Sequence, residues 1–150
     1  MIRIICIGKV KEKFYREALE EYKTRLSKYT KLEIIELPDY NYDIKKTIKE
    51  ESDNIIKILN KSDYNILLDV KGTEMDSVTL SQKIENTLIS HSNINFIIGG
   101  SYGVSDELKE ICNMRLSFSK LTFPHQLFRI ILLEQIYRSF KIINHEEYHK

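Results

Sequence analysis

Tryptophan is absent from this chain of 150 residues, and there are only two prolines, two cysteines and five glycines. So little proline and glycine excludes collagen-like repeats, low-complexity tracts and long linkers. Cys6 and Cys112 cannot build a disulfide framework, and neither belongs to a C-x-x-C. Thioredoxin-like redox chemistry and cysteine-rich zinc sites are thereby removed. Cys6 lies inside MIRIICIG and reads as a small buried hydrophobe. No apolar run approaches the length of about 18 residues that a membrane span needs. The opening residues lack the layout of a signal peptide. A protein of the reducing cytoplasm is expected, with no membrane partner. Metal-ligand spacing is missing too: His145-x-x-x-His149 is a terminal pair without the glutamate of a zincin, so no metal is expected.

What is present is 42% hydrophobic and 30% charged residues. That composition and length predict one globular domain over residues 1–150. Net charge is only +1, but it is unevenly laid out. Residues 65–114 hold seven acidic residues against three basic ones. Residues 115–150 hold six basic against three acidic, with three of the four histidines. Bulk charge of this size does not bind nucleic acid; local patches, or a dimer that sums them, would have to.

Apolar periodicity predicts five strands alternating with five helices. The strands are residues 2–8, 32–37, 64–70, 94–98 and 114–119, with Pro38 ending the second and Gly72 closing the third. The helices are residues 11–28, 43–60, 77–90, 105–112 and 124–143. Ser105 is a ready N-cap, and Pro124 suits a first turn. This alternation predicts an α/β fold with a mainly parallel sheet and helices on both faces. Ligands of such sheets bind beyond the carboxyl ends of the strands.

Two of the loops at those ends stand out. Gly99-Gly100-x-x-Gly103 holds three of the five glycines. It matches neither a dinucleotide fingerprint nor a P-loop. It reads equally as a backbone-lined ligand site or as a tight strand-to-helix turn. Ser119 to Gln126 mixes small polar residues, an aromatic and a proline, and places His125 in a first helical turn, where the helix dipole disfavours a charged ring. The last helix is apolar on more than one side. It is expected to bury residues such as Leu132, Ile136 or Phe140 against a second subunit in an isologous homodimer. No nucleophile–base arrangement for covalent catalysis is evident, so any chemistry would rest on positioning and proton transfer.

The runs FIIGGSYG (96–103) and LSFSKLTFPHQLFRIILLEQIYRSFKIINHEEYHK (116–150), with the opening IRIICIGKVKEKFYREALEEYKTRLSKY, carry a resemblance over essentially the whole chain. They resemble the ribosomal RNA large subunit methyltransferase H family, of the SPOUT class. The resemblance implies a parallel-sheet α/β knot whose C-terminal segment threads a loop as a trefoil, a feature no periodicity suggests. It implies a homodimer, S-adenosyl-L-methionine as cofactor, and methylation of N3 of a pseudouridine in 23S rRNA on the assembled ribosome. Cofactor contacts would then fall on Leu68, Gly99, Phe118, Ser119, Lys120, Leu121, Thr122 and Phe123. His145 and Glu147 stand where the family commonly has Gly and Pro, while Tyr148-His149-Lys150 is in place.

For that reaction the N3 proton must leave, and His125 and His149 are the candidate bases. Arg129, with Arg138, Lys141 and Lys150, is expected to line an RNA-facing surface. Arg129 ranks first because it lies one turn after His125. Tyr148 belongs to the tail that a partner subunit could bring over the cofactor. The alternative reading is a dimeric RNA- or nucleotide-binding α/β module without catalysis.

Overall fold

The computed structural model describes residues 1–150. Five strands form one sheet: β1 (Ile2–Ile7), β2 (Leu32–Leu37), β3 (Tyr64–Glu74), β4 (Ile94–Ile98) and β5 (Met114–Ser117). Their spatial order is β2-β1-β4-β3-β5 and every pairing is parallel. Parallel neighbours need crossovers, and helices supply them. These are α1 (Lys13–Leu26), α2 (Ile44–Ile58), α3 (Ser77–Ser90), α4 (Asp106–Ile111) and α5 (His125–Ile143). Asp43, Asp76 and Ser105 cap α2, α3 and α4, each side chain accepting the backbone N–H three residues on.

Side chains of successive strand residues point to opposite faces, so each inner strand feeds two cores. Ile2, Ile4, Cys6, Phe96 and Leu116 pack with Leu19 and Leu26 of α1, Leu80 and Ile84 of α3, and four residues of α5. Ile5, Ile7, Leu67 and Ile97 pack on the other face with Ile55 of α2 and Leu108 of α4. Burial pushes the Cys6 thiol up to about 11. An inert buried thiol is what the sequence led one to expect.

Two expectations need correction. β3 does not close at Gly72. Its pairing with β5 shifts register between Leu68 and Thr73 and then resumes through Glu74. The residues between form a bulge in the β3–β5 ladder. Three apolar residues named for a subunit interface on the last helix are also taken up within the chain. Leu132 and Ile136 are fully buried and Phe140 nearly so, because α5 lies on the sheet between α1 and α3. With its inner side and both flanks enclosed, those three residues cannot face a partner subunit.

Candidate functional site

The carboxyl ends of β3, β4 and β5 open into one cleft of about 630 Å³, within the usual range of about 300–1,000 Å³ for small-molecule sites. Three chain segments wall it. β3 contributes Leu67 to Lys71, the β4–α4 turn contributes Ile98 to Val104, and the stretch from Phe118 to Phe128 closes the remaining side.

The third wall is held in place by its own small polar residues. Ser117 Oγ lies 3.1 Å from the carbonyl oxygens of both Val70 and Ser119, tying the start of the loop to β3. Ser119 Oγ accepts from Leu121 N–H at 3.0 Å. Phe128 packs edge-on against Phe118 at 5.1 Å and stacks on Phe123 at 6.0 Å. The result is an aromatic wall facing backbone groups of the glycine turn. In that turn Gly103 takes φ +89°, which L side chains rarely adopt. A Cβ on Gly99 would meet Val104 Cγ1 at 2.5 Å. Tight turning and cleft lining are therefore properties of the same loop, and Gly99→Val would disturb the turn itself.

Of the cofactor residues the resemblance implies, Leu68, Gly99, Phe118, Ser119, Leu121, Thr122 and Phe123 line this cleft. Lys120 does not: it is exposed between two lining residues. Leu121 remains 72% exposed, a large apolar side chain at an open mouth with no role in the core. Flat apolar walls opposite backbone N–H and C=O groups suit a ligand of nucleoside size. No group of three or more His, Cys, Asp or Glu comes together as a metal site.

His125 stands in the first turn of α5, half-buried, and lines the cleft. Burial, and then the positive charge of Arg129, holds its pKa below the ordinary 6.5. The ring is therefore neutral at pH 7 and able to accept a proton. Arg129 is not where the sequence placed it. Its side chain is 2% exposed, so it lines no RNA-facing surface. Nη1 donates to Glu36 Oε2 at 2.9 Å, and Nη2 to the carbonyls of Ile7 and Gly8 at 2.8 Å each. Glu36 Oε2 also accepts Val10 N–H. A second tie parallels this one, since Gln126 Oε1 accepts Lys11 N–H at 3.0 Å. The start of α5, with its cleft-lining residues, is thus stapled to the β1–α1 loop.

The tail folds back on its own chain. Tyr148 donates to Glu134 Oε1 at 2.9 Å, and Arg138 lies over the Tyr148 ring at 4.7 Å. Arg138 also pairs with Glu134, and Lys141 with Glu146. His149 Nδ1 is 3.2 Å from Arg138 Nη1. Arginine only donates, so that nitrogen is the acceptor in this contact. His149 reaches a smaller cavity of about 470 Å³ rather than the main cleft, although Leu116, Phe118 and Phe123 border both.

Other lining residues escaped the sequence reading. Phe128 lines the cleft from the second turn of α5, and in the sequence it is only one of that helix's many apolar residues. Lys109 faces the cleft from α4, and nothing in its spacing signals that.

A family model described as predicted SPOUT methyltransferase matches residues 1–149. Fold and match together define the chain as a methyltransferase of the SPOUT class. It is 50% identical over 153 residues to the ribosomal RNA large subunit methyltransferase H of Fusobacterium nucleatum, with 99% of each chain covered. Identity to the proteins of the same name is 48% over 157 residues for Clostridium botulinum, covering 99% of each, and 42% over 154 residues for Caldicellulosiruptor saccharolyticus, covering 100% of each. The chain belongs to the ribosomal RNA large subunit methyltransferase H family.

Proposed function

We propose that this protein methylates N3 of a pseudouridine in 23S rRNA on the assembled ribosome, using S-adenosylmethionine, as a cytoplasmic homodimer. The observation that carries this reading is the single cleft at the carboxyl ends of β3, β4 and β5, lined by residues drawn from positions 67–71, 98–104 and 118–128. Bound there, S-adenosylmethionine supplies an electrophilic methyl group on a sulfonium. Leu68, Leu121 and Phe123 cover its apolar faces, and backbone groups of the Gly99 turn and the Ser119–Phe123 loop meet its polar edges. Methyl transfer needs the acceptor nitrogen within about 3–3.5 Å of the methyl carbon, and the residues of this cleft would hold the two partners together. His125, neutral at the edge of the same cleft, takes the N3 proton.

The C-terminal knot belongs to this proposal. Its support is the match of the chain to the SPOUT methyltransferase family. The dimer also belongs to it, with an interface formed outside the α5 core. A monomeric mass at micromolar concentration in sedimentation would remove the dimer.

The direct test is incubation with methyl-labelled S-adenosylmethionine and ribosomes lacking the modification. Label is expected on N3 of one pseudouridine of the large-subunit RNA. Ribosomes that stay unlabelled would sink the proposal. A second measurement tests the cleft alone. Leu121→Asp changes an exposed side chain and should leave the melting temperature unaltered. It should weaken S-adenosylmethionine binding by at least about tenfold, since covering a leucine is worth about 1.5–3 kcal/mol. Calorimetry that finds parental affinity would move the cofactor elsewhere.

A further inference from the structure

We propose that Lys71, Lys109 and Lys120 form a cationic rim that holds phosphates of the rRNA strand beside the target nucleotide. This rests on the reading of the cleft as the methyl-transfer site.

The cations that the sequence offered for RNA are largely engaged. Arg129 is buried against Glu36 and two carbonyls, while Arg138 and Lys141 have carboxylate partners. The three lysines come from different elements: the bulge in β3, helix α4 and the loop after β5. Residues 65–114 contain only three basic side chains, Lys71, Lys83 and Lys109. Two of the three line the cleft. That placement runs against the acidic balance of the segment.

The acidic side chains do not follow them there. Asp69 is the one carboxylate lining the cleft, and it is engaged: Oδ1 accepts Lys71 N–H at 2.9 Å and Oδ2 faces Arg115 at 3.5 Å. Lys71 and Lys120 have no ion-pair partner. Lys109 has only Asp106, at 3.7 Å and 95% exposed, a pairing of little strength in water. Two amines thus line the cleft, and a third stands exposed on the loop that walls it, without a matching set of carboxylates.

Compact, hydrated ammonium groups on flexible stems suit phosphate oxygens along a strand. They act where the net charge of +1 supplies no general attraction, so a local rim is the electrostatic means of engaging RNA. The other anion within reach is the carboxylate of the cofactor, and the test separates the two.

Ribosome binding is measured against KCl concentration for the parent, each Lys→Gln variant, the triple variant and Lys83→Gln. Lys83 lies over the Tyr64 ring at the opposite end of β3 and serves as the control. Each rim substitution should flatten the slope of log K against log salt by about 0.7–0.9, and the triple variant by about 2–3. The KM for ribosomes should rise with each substitution, most in the triple variant. An unchanged slope in the triple variant overturns the rim. An unchanged slope with cofactor binding weakened about tenfold or more reassigns the lysines to the cofactor carboxylate. A parent protein that neither binds nor methylates ribosomes overturns the underlying reading of the cleft instead.

Discussion

Replacing Arg129 with methionine will destabilise the protein by about 3 kcal/mol. Removing one partner of a buried pair usually costs about 3–5 kcal/mol, because the other charge and its acceptors are left without a donor. Glu36 keeps 34% of its side chain exposed and rehydrates in part, which sets the expectation at the lower end. The carbonyls of Ile7 and Gly8 lose their shared Nη2 donor, and each becomes a polar group short of a partner. Arg129→Lys will recover little. A single ammonium cannot reproduce the planar fork that reaches a carboxylate and two carbonyls together. Urea unfolding of the variants measures this directly. The loss of stability should be accompanied by weaker cofactor binding, since α5 carries His125 and Phe128 into the cleft. Near-parental stability with a selective loss of ribosome binding would restore Arg129 to an RNA-facing role.

The second large effect concerns proton transfer. His125→Ala should lower the single-turnover methylation rate by about 10²–10⁴-fold while the protein still folds and binds S-adenosylmethionine. The pH dependence adds a signature. Burial and Arg129 hold the folded-state pKa of His125 below 6.5. The proton-accepting form therefore persists as the pH falls through 6.5, and the rate should decline only at lower pH. Stability follows the same linkage. The unfolded chain takes up this proton first, so the contribution of the neutral ring is intact above 6.5. It is lost as the pH falls from there through the folded-state value. The alanine variant should lack both the acid limb of the rate profile and this part of the acid sensitivity. An acid limb unchanged in His125→Ala would remove this side chain from proton transfer, leaving His149 or solvent as the base.

These two residues also mark where the sequence was informative. Strand and helix positions came from the chain itself. Apolar alternation and three-to-four spacing are local properties, and caps such as Asp43, Asp76 and Ser105 act within one turn. The loops at the strand ends were legible for the same reason: parallel order sends every such end to one edge. His125 could be placed there from a proline and a helix start. The runs at 96–103 and 116–150 made the family recognisable.

What the sequence could not decide depended on partners distant along the chain. β3 continues past Gly72 because β5, more than forty residues later, pairs with it again. The apolarity of α5 looked like a subunit interface, yet Leu132, Ile136 and Phe140 are taken up by packing within the chain, against the sheet, α1 and α3, and only packing tells which residues those are. Arg129 looked like a charge one turn from a candidate base. It is buried because Glu36 and the ends of β1, more than ninety residues earlier, supply its acceptors. Lys71 and Lys109 belong to a stretch that is acidic on balance, and only the fold turns both toward the cleft. Local rules assign elements and turns. Which charges are spent on the fold and which remain for a ligand is settled by contacts that form only after the chain has closed on itself.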